Sequence, residues 1–322
     1  MLHLTLNPTG IKFVCPSIRS SDQKNLESLS PLTSTYFKMD TTLPLPFLPS
    51  VDLGKGPTES EEGLTRYQLS YLGCVYFSAG NENVDTLFQF LQRHIATEAY
   101  VNVSSIDSTD DLVSILDAGA RKVFVNASQL ESLKTYGDRV IPVISAGQNI
   151  PSAAEFPNGV LIETGDDILA SSSILSDLTA KKISPLFVST ASKLHLEPFI
   201  HFATGASAIP IIPATQLTIG EGTREKTSVP GLIGSLWSSD RADKLIPTMV
   251  TDERGIALGL VYSSQESLAE SLKTGTGVYQ SRKRGLWYKG ATSGDTQELV
   301  RISLDCDQDC LKFVVRQNGR GK

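Results

Sequence analysis

Between Tyr67 and Ala214, short β-rich apolar runs alternate with amphipathic stretches, and this alternation restricts the fold more than any other feature of the chain. YQLSYLGCVYFSA (67–79), AYVNVSSI (99–106), RKVFVN (121–126), RVIPVIS (139–145), GVLIETG (159–165), ISPLFVS (183–189) and AIPIIPA (208–214) read as strands. VDTLFQFLQRHIA (84–96) and DSTDDLVSILDAGA (107–120) carry apolar residues at helical spacing. The second has Asp107 or Ser108 as a cap and Gly119 at its end. Further helices are expected over 128–137 and near 166–177 and 190–204. Strands that alternate with helices imply βαβ units and a parallel sheet. Continuous apolar strands such as VFV and VIPVI fit burial on both faces. An α/β domain is therefore expected over 67–216.

The flanks read differently. Residues 1–38 mix Pro8, Pro16 and Pro31 with many Ser and Thr and hold no helical or strand period, so a disordered tail or an over-predicted start is expected. Met39 opens a Pro-rich lead-in over 39–66. The tail holds one Arg together with Asp22 and Glu27, a composition that transit peptides avoid. LTIGEGTREKTSVPGL (217–232) is rich in Gly, Thr and charge and is expected to be a linker. No apolar run reaches the roughly 18 residues of a membrane helix, so no membrane partner is expected. Four cysteines in 322 residues exclude a dense disulfide framework and favour a reducing, cytoplasmic setting. The net charge of −6 divides unevenly, −9 over 1–223 and +3 from Arg224 onward. The second part is too weakly basic for a strong nucleic-acid footprint.

The second part, 233–322, changes period. LIPTMVTDERGIALGLVYSS (245–264) reads as two strands joined at Asp252–Gly255, and QESLAESLKTG (265–275) as a short helix closed by Gly275. Several short strands separated by Gly and Asp follow, giving a small, mostly antiparallel β (α+β) domain. Three stretches could carry chemistry. Ser281-Arg282-Lys283-Arg284, with Trp287 and Lys289 close behind, could seat phosphates and stack a base, or form a solvated basic hairpin. Gly290–Asp295, containing Thr292 and Ser293, is a turn that could offer backbone N–H groups to an anion. Asp305-Cys306-Asp307-Gln308-Asp309-Cys310 would place three carboxylates on one face and Cys306 on the other if the preceding strand continued. Hard oxygen ligands suit Mg²⁺ and a soft thiolate suits Zn²⁺, whereas without a metal this is a solvated acidic turn. An EF-hand is excluded, because Arg316 stands where that loop needs Glu and no Gly sits at its sixth position.

Two resemblances add to this reading. DAGARKVFVNASQLESL followed by GDRVIPVIS resembles the (β/α)-barrel isomerase and cyclase of histidine biosynthesis, which implies a half-barrel-like βα repeat. No Gly-rich phosphate loop accompanies it, and a non-catalytic scaffold is expected. GVYQSRKRGLWYKGATSGDTQ followed by LDCDQDCLKFVV closely resembles the phosphoribosyl-AMP cyclohydrolase family, from about Leu245 to Gln317. Lys283, Ala291 and Cys310 are mild departures from its SRSRG, KGETSGN and DCDxDA patterns. The resemblance implies hydrolysis of the N1–C6 bond of phosphoribosyl-AMP, as one activity of a fungal-type multifunctional histidine-biosynthesis protein. It also implies that Cys306 serves zinc and that Asp305, Asp307 and Asp309 serve magnesium. Ser281, Arg282, Arg284, Trp287, Lys289, Thr292 and Ser293 would then serve substrate. Members of the family are homodimers that build each zinc site from both subunits. The family continues with Gly-x-Gly-Phe-Cys-His and, a few residues on, a further Cys, whereas this sequence ends in QNGRGK just where Phe-Cys-His should begin, so a C-terminally truncated enzyme is expected. The alternative is a catalytically silent fragment that binds phosphoribosyl nucleotides or acts as a scaffold. His3, His94, His195 and His201 all lie outside this domain and are expected to be surface or packing residues.

Overall fold

The computed structural model describes residues 6–7, 10–11, 43–53, 64–93, 97–145, 156, 158–164, 172–190, 199–200, 203 and 206–319. By contact density the chain divides into Met1–Phe37 and Lys38–Lys322. In the first unit the described residues form one short antiparallel pair, Leu6–Asn7 with Gly10–Ile11. The rest of the expected tail, all four histidines and Cys15 lie outside the described residues.

The second unit begins with a closed barrel of eight parallel strands in sequential order. They are β1 (Leu48–Asp52), β2 (Cys74–Gly80), β3 (Glu98–Ser105), β4 (Lys122–Val125), β5 (Val140–Ser145), β6 (Val160–Thr164), β7 (Leu186–Thr190) and β8 (Ala208–Pro213). β8 pairs with β1 through Ile211 opposite Leu48, which closes the ring. The half-barrel expectation is thereby corrected. The closing strand is β1, which lies inside the stretch read as a Pro-rich lead-in, where Pro49 disguises it.

The strand period of two sorts the barrel into an inside and an outside. Leu48, Tyr76, Tyr100, Phe124, Leu161, Phe187 and Ile211 fill the lumen. Their neighbours face outward. Val75, Val101, Val123 and Val140 join one outer cluster with the helices α2 (Val84–Arg93) and α3 (Thr109–Asp117). Ser108 caps α3 through its hydroxyl, which accepts from the amide of Asp111. The expected helix over 128–137 is instead a pair of 3₁₀ segments, Ala127–Gln129 and Lys134–Arg139. The run expected to be one strand over 67–79 is divided. Helix α1 (Arg66–Leu72) precedes β2, opened by a Thr65/Gln68 capping box and closed by Gly73 in the left-handed region. Helix α4 (Ser172–Ala180) stands between β6 and β7. Most of the helix expected near 190–204 lies outside the described residues.

The expected linker is folded. Leu217–Thr218 pairs with Thr227–Ser228, and helix α5 (Val229–Leu236) follows, capped by Ser228. A four-stranded sheet then forms in the order β10-β9-β14-β13, from β9 (Ile246–Thr251), β10 (Ala257–Ser263), β13 (Gln297–Leu304) and β14 (Leu311–Gln317). Helix α6 (Gln265–Thr274) packs beside it, with a Ser264 cap and Gly275 at φ +67°. A hairpin of β11 (Val278–Ser281) and β12 (Gly285–Tyr288) completes the domain.

Barrel and sheet share one hydrophobic core. A single cluster joins Leu69 and Leu72 of α1, the outer faces of β6 to β8, Leu217, Leu232, Ile246, Leu272, Leu299, Ile302 and Phe313. The outer edge of β13 is docked on the barrel side: the amide of Leu304 donates to the carbonyl of Pro44 at 2.8 Å. Gly73 lies so close to the Arg301 side chain that a β-carbon there would collide with it. A shared core predicts that barrel and sheet unfold together. Leu272→Ala should cost about 2–5 kcal/mol in urea denaturation, with one coincident transition by near- and far-UV circular dichroism. Two separate transitions would contradict the shared core.

Candidate metal and substrate site

The acidic motif is a turn, because β13 ends at Leu304 and β14 begins at Leu311, directly opposite it. Asp305 organises the connection. Its Oδ1 accepts from the amides of Asp309 and Cys310, each at 3.0 Å, and its own amide donates to the carbonyl of Cys310. Gln308 takes φ +62° to complete the reversal. The expectation that three carboxylates share a strand face is therefore corrected: folding of the loop, rather than strand alternation, brings them together. One ligand atom from each of Asp305, Asp307 and Asp309 lies within 4.8 Å of the others. Burial, reinforced by the Asp309 and Asp307 charges, pushes the Asp305 carboxyl up to about 6, against the lowering hydrogen bond from the Cys310 amide.

Three carboxylates gathered this closely fit a hard divalent cation such as Mg²⁺. The zinc set fits less well. Cys306 is exposed with Sγ 3.8 Å from Asp307 Oδ1, and burial pushes the Cys310 thiol up. Cys74, the remaining described cysteine, is buried in the barrel lumen. Among the described residues, one chain does not complete a zinc shell.

The basic hairpin reaches the same end of the sheet. The ladders align Leu311 with Thr248 and Thr248 with Val261, so Tyr262 of β10 stands one strand beyond β9 from the Cys310 end of the loop. That is two strand spacings, about 10 Å. Arg282 at the hairpin tip lies over the Tyr262 ring at 5.0 Å, and Arg241 lies over the same ring at 4.7 Å. Arg241 also holds Asp243 through two hydrogen bonds. The segment that carries Arg241 is tied to the acidic loop, since the Ser238 amide donates to the Gln308 carbonyl at 2.7 Å. A cavity of about 310 Å³ opens here, lined by Trp237, Asp243, Lys244 and the cap of α6 at Ser264 and Gln265. Arg241 and Tyr262 were missed in the sequence because they lie in separate segments, neither inside a motif.

The other expected substrate residues have different surroundings. Ser281 caps the hairpin tip, its hydroxyl accepting from the amides of Lys283 and Arg284. Arg284 is exposed beside Arg282. Trp287 is half-buried and pairs across the hairpin with Tyr279, ring centroids 5.9 Å apart. The Lys289 ammonium donates to the Asp295 carbonyl at 2.8 Å and clamps the Gly290–Asp295 turn. Thr292 and Ser293 are exposed in that turn, and the Ser293 hydroxyl accepts from the Asp295 amide. The turn precedes β13 whereas the acidic loop follows it. The eight residues of β13 separate the two by roughly 23 Å at about 3.3 Å per residue. Within one chain, Thr292 and Ser293 therefore do not meet the carboxylates.

With this geometry in view, the comparisons with known proteins are informative. Residues 259–321 match the family model described as phosphoribosyl-AMP cyclohydrolase. The histidine biosynthesis trifunctional protein of Neurospora crassa is 49% identical over 284 residues, 88% of this chain and 33% of that protein. The histidine biosynthesis bifunctional protein his7 of Schizosaccharomyces pombe is 35% identical over 293 residues, covering 85% of this chain and 68% of its own length. The phosphoribosyl-AMP cyclohydrolase of Roseobacter denitrificans is 46% identical over 77 residues, 23% of this chain and 60% of that protein. The chain belongs to the family of multifunctional histidine-biosynthesis proteins with a phosphoribosyl-AMP cyclohydrolase region. It spans about a third of the length of the Neurospora relative.

The turn at Gly290 gives a local test. Gly290 has φ +86°, and a β-carbon there would lie 2.6 Å from the Asp295 carbonyl carbon and the Thr296 amide nitrogen. Gly255 has a similar φ of +83° but open space around it. Gly290→Ala should therefore lower the melting temperature more than Gly255→Ala, whose cost is backbone strain alone, about 1 kcal/mol. Equal shifts would refute the close approach.

Proposed function

We propose that the C-terminal sheet hydrolyses phosphoribosyl-AMP: water adds at C6 of the adenine ring, the N1–C6 bond breaks, and an aminoimidazole carboxamide results. The observation that carries this reading is the Asp305–Asp309 loop, which gathers three carboxylates inside the region that matches the cyclohydrolase family. A divalent cation held there would act as a Lewis acid that polarises an oxygen at the reacting centre. Asp307 and Asp309 would hold the ion, and Asp305, which shapes the loop through the Asp309 and Cys310 amides, would be the third carboxylate beside it. Arg282 and Arg284 receive substrate phosphate at the hairpin tip, where neither makes an ion pair among the described residues. Trp287 keeps the hairpin in shape through Tyr279. Cys306 is offered as one zinc donor. One chain's described residues leave the rest of that shell incomplete.

The same reading includes a homodimer. Strand β10 is the free edge of the sheet and exposes Leu258 (38%) and Leu260 (66%), with Ile256 (58%) exposed just before it. Exposed apolar edges of this kind are covered in stable proteins. A second copy would also allow the Gly290–Asp295 turn of one subunit to face the acidic loop of the other, which a single chain keeps apart. A cytoplasmic location belongs to this proposal too. Among the described residues no helix is long and apolar enough to cross a membrane. The competing reading is a catalytically silent nucleotide-binding domain, favoured by the incomplete zinc shell among the described residues.

Ring-opening absorbance with phosphoribosyl-AMP, measured beside zinc and magnesium content, separates the two readings. Turnover that Cys306→Ser and Asp309→Asn both abolish, in a protein that stays folded, is expected of the enzyme. Binding of phosphoribosyl-AMP without turnover would establish the silent binding domain. Arg282→Ala should raise KM with little change in kcat if the arginine holds substrate equally in the ground and transition states. An unchanged KM would reduce the basic tip to a solvated surface. Leu260→Asp should convert a dimer to a monomer in sedimentation and depress turnover. A dimer unaffected by that change would place the interface elsewhere.

A further inference from the structure

The barrel has a polar end that the cyclohydrolase reading does not use. Each inward-facing strand position two residues beyond a lumen residue falls at the C-terminal mouth. On six strands these are Ser50 after Leu48, Ser78 after Tyr76, Asn102 after Tyr100, Ser145 after Val143, Glu163 after Leu161 and Ser189 after Phe187, with Asn126 after Phe124 and the apolar Pro213 after Ile211 on the other two. The lumen thus changes from aromatic and aliphatic side chains to hydroxyls, a carboxamide and a carboxylate within one step of the strand period. Closed parallel barrels position their ligands at this end.

The ring is connected. The ladders place Ser145 opposite Glu163, Glu163 opposite Ser189, and Ser78 opposite Asn102. Asn102 Nδ2 donates to Glu163 Oε1 at 2.8 Å, and because β3 and β6 are not neighbours, this bond crosses the lumen and floors the mouth. Asn102 Oδ1 in turn accepts from the Ser104 amide at 3.0 Å, which fixes the carboxamide. Above the floor, Ser78 and Ser145 are exposed and Glu163 is half-buried, so among the described residues the ring is open to an incoming molecule.

We propose that this mouth is a second ligand site, taking a small neutral polyhydroxylated compound of sugar or polyol size whose hydroxyls donate to Glu163 and exchange hydrogen bonds with Ser78 and Ser145. The composition argues for this class. Serine hydroxyls and a carboxamide both donate and accept, as alcohol groups require, while a carboxylate only accepts. Among the described residues no lysine or arginine belongs to the ring. Lys122 faces the lumen from the opposite, N-terminal end of β4, where its ammonium donates to the Asp138 carbonyl. A phosphate or carboxylate ligand would meet Glu163 without a compensating cation. Burial raises the Glu163 carboxyl above its usual range, an environment that favours hydrogen bonding over bare charge. The site is independent of the proposed hydrolysis, whose substrate is doubly phosphorylated.

Saturation-transfer NMR on the full chain, with D-ribose, D-glucose and myo-inositol as probes, tests the proposal. At least one of the three is expected to give a saturable signal. The affinity should weaken by about tenfold or more in Glu163→Gln and in Ser78→Val, the second an exposed position where the fold is safe. Asp309→Asn in the acidic loop should leave the signal unchanged, and inorganic phosphate should not compete. No saturable signal from any probe would overturn the proposal and leave the Asn102–Glu163 bond as a structural tie. So would a signal that survives both mouth substitutions, or displacement of the polyol by phosphate.

Discussion

One buried cluster holds this molecule together. It runs from the outer faces of β6 to β8 and the α1 residues Leu69 and Leu72, through Leu217 and Leu232, to Leu272, Leu299 and Phe313 of the C-terminal sheet. Neither the barrel nor the four-stranded sheet covers all its apolar surface alone, so each serves as the other's wall. A sheet with one apolar face must bury that face against something. Here the partner is the barrel, and the outer edge of β13, the strand that leads into the acidic loop, is taken by Gly275–Gly277 at its start and by the Pro44 carbonyl at its last residue.

That constraint explains where the chemistry lies. With β13 pinned at Pro44 and Arg301 against Gly73, its last residue Leu304 delivers Asp305 to a fixed end of the sheet. The 237–245 segment is held to the loop at Gln308 and carries Arg241 to Tyr262, where Arg282 of the hairpin meets it. Negative carboxylates and positive guanidinium groups thus share one end of the sheet, an arrangement suited to an ion and an anionic nucleotide together. The barrel's mouth has the opposite character, hydroxyls around one carboxylate, and suits a different ligand.

Much of this was legible in the sequence, and what was missed has physical causes. The alternation from Tyr67 to Ala214 revealed the parallel strands because buried strands are continuous apolar runs. Helix α6 was legible from Leu268, Leu272 and Gly275. The strand at Leu48–Asp52 was hidden by Pro49, which contributes no amide but fits where the register does not need one. Helix α1 was hidden by its aromatic, β-favouring composition, although Thr65, Gln68 and Gly73 marked both of its ends. In the candidate site the residue types were legible but their arrangement was not. Asp305, Asp307 and Asp309 come together through amide hydrogen bonds to Asp305, which no spacing rule reveals. Thr292 and Ser293 lie within a dozen or so positions of Asp305 in the sequence but at the other end of an extended strand. Arg241 joined the group through a tertiary contact with Tyr262.

The central claim is that the Asp305–Asp309 loop binds a divalent ion at the end of the sheet that also carries Tyr262 and Arg282. Titrating Mn²⁺ into isotopically labelled protein and following paramagnetic broadening of the backbone amide signals tests it most directly. The Asp307, Asp309 and Tyr262 signals should broaden first, well before those of the barrel strand Lys122–Val125. Uniform broadening, or loss of barrel signals ahead of the loop, would contradict it.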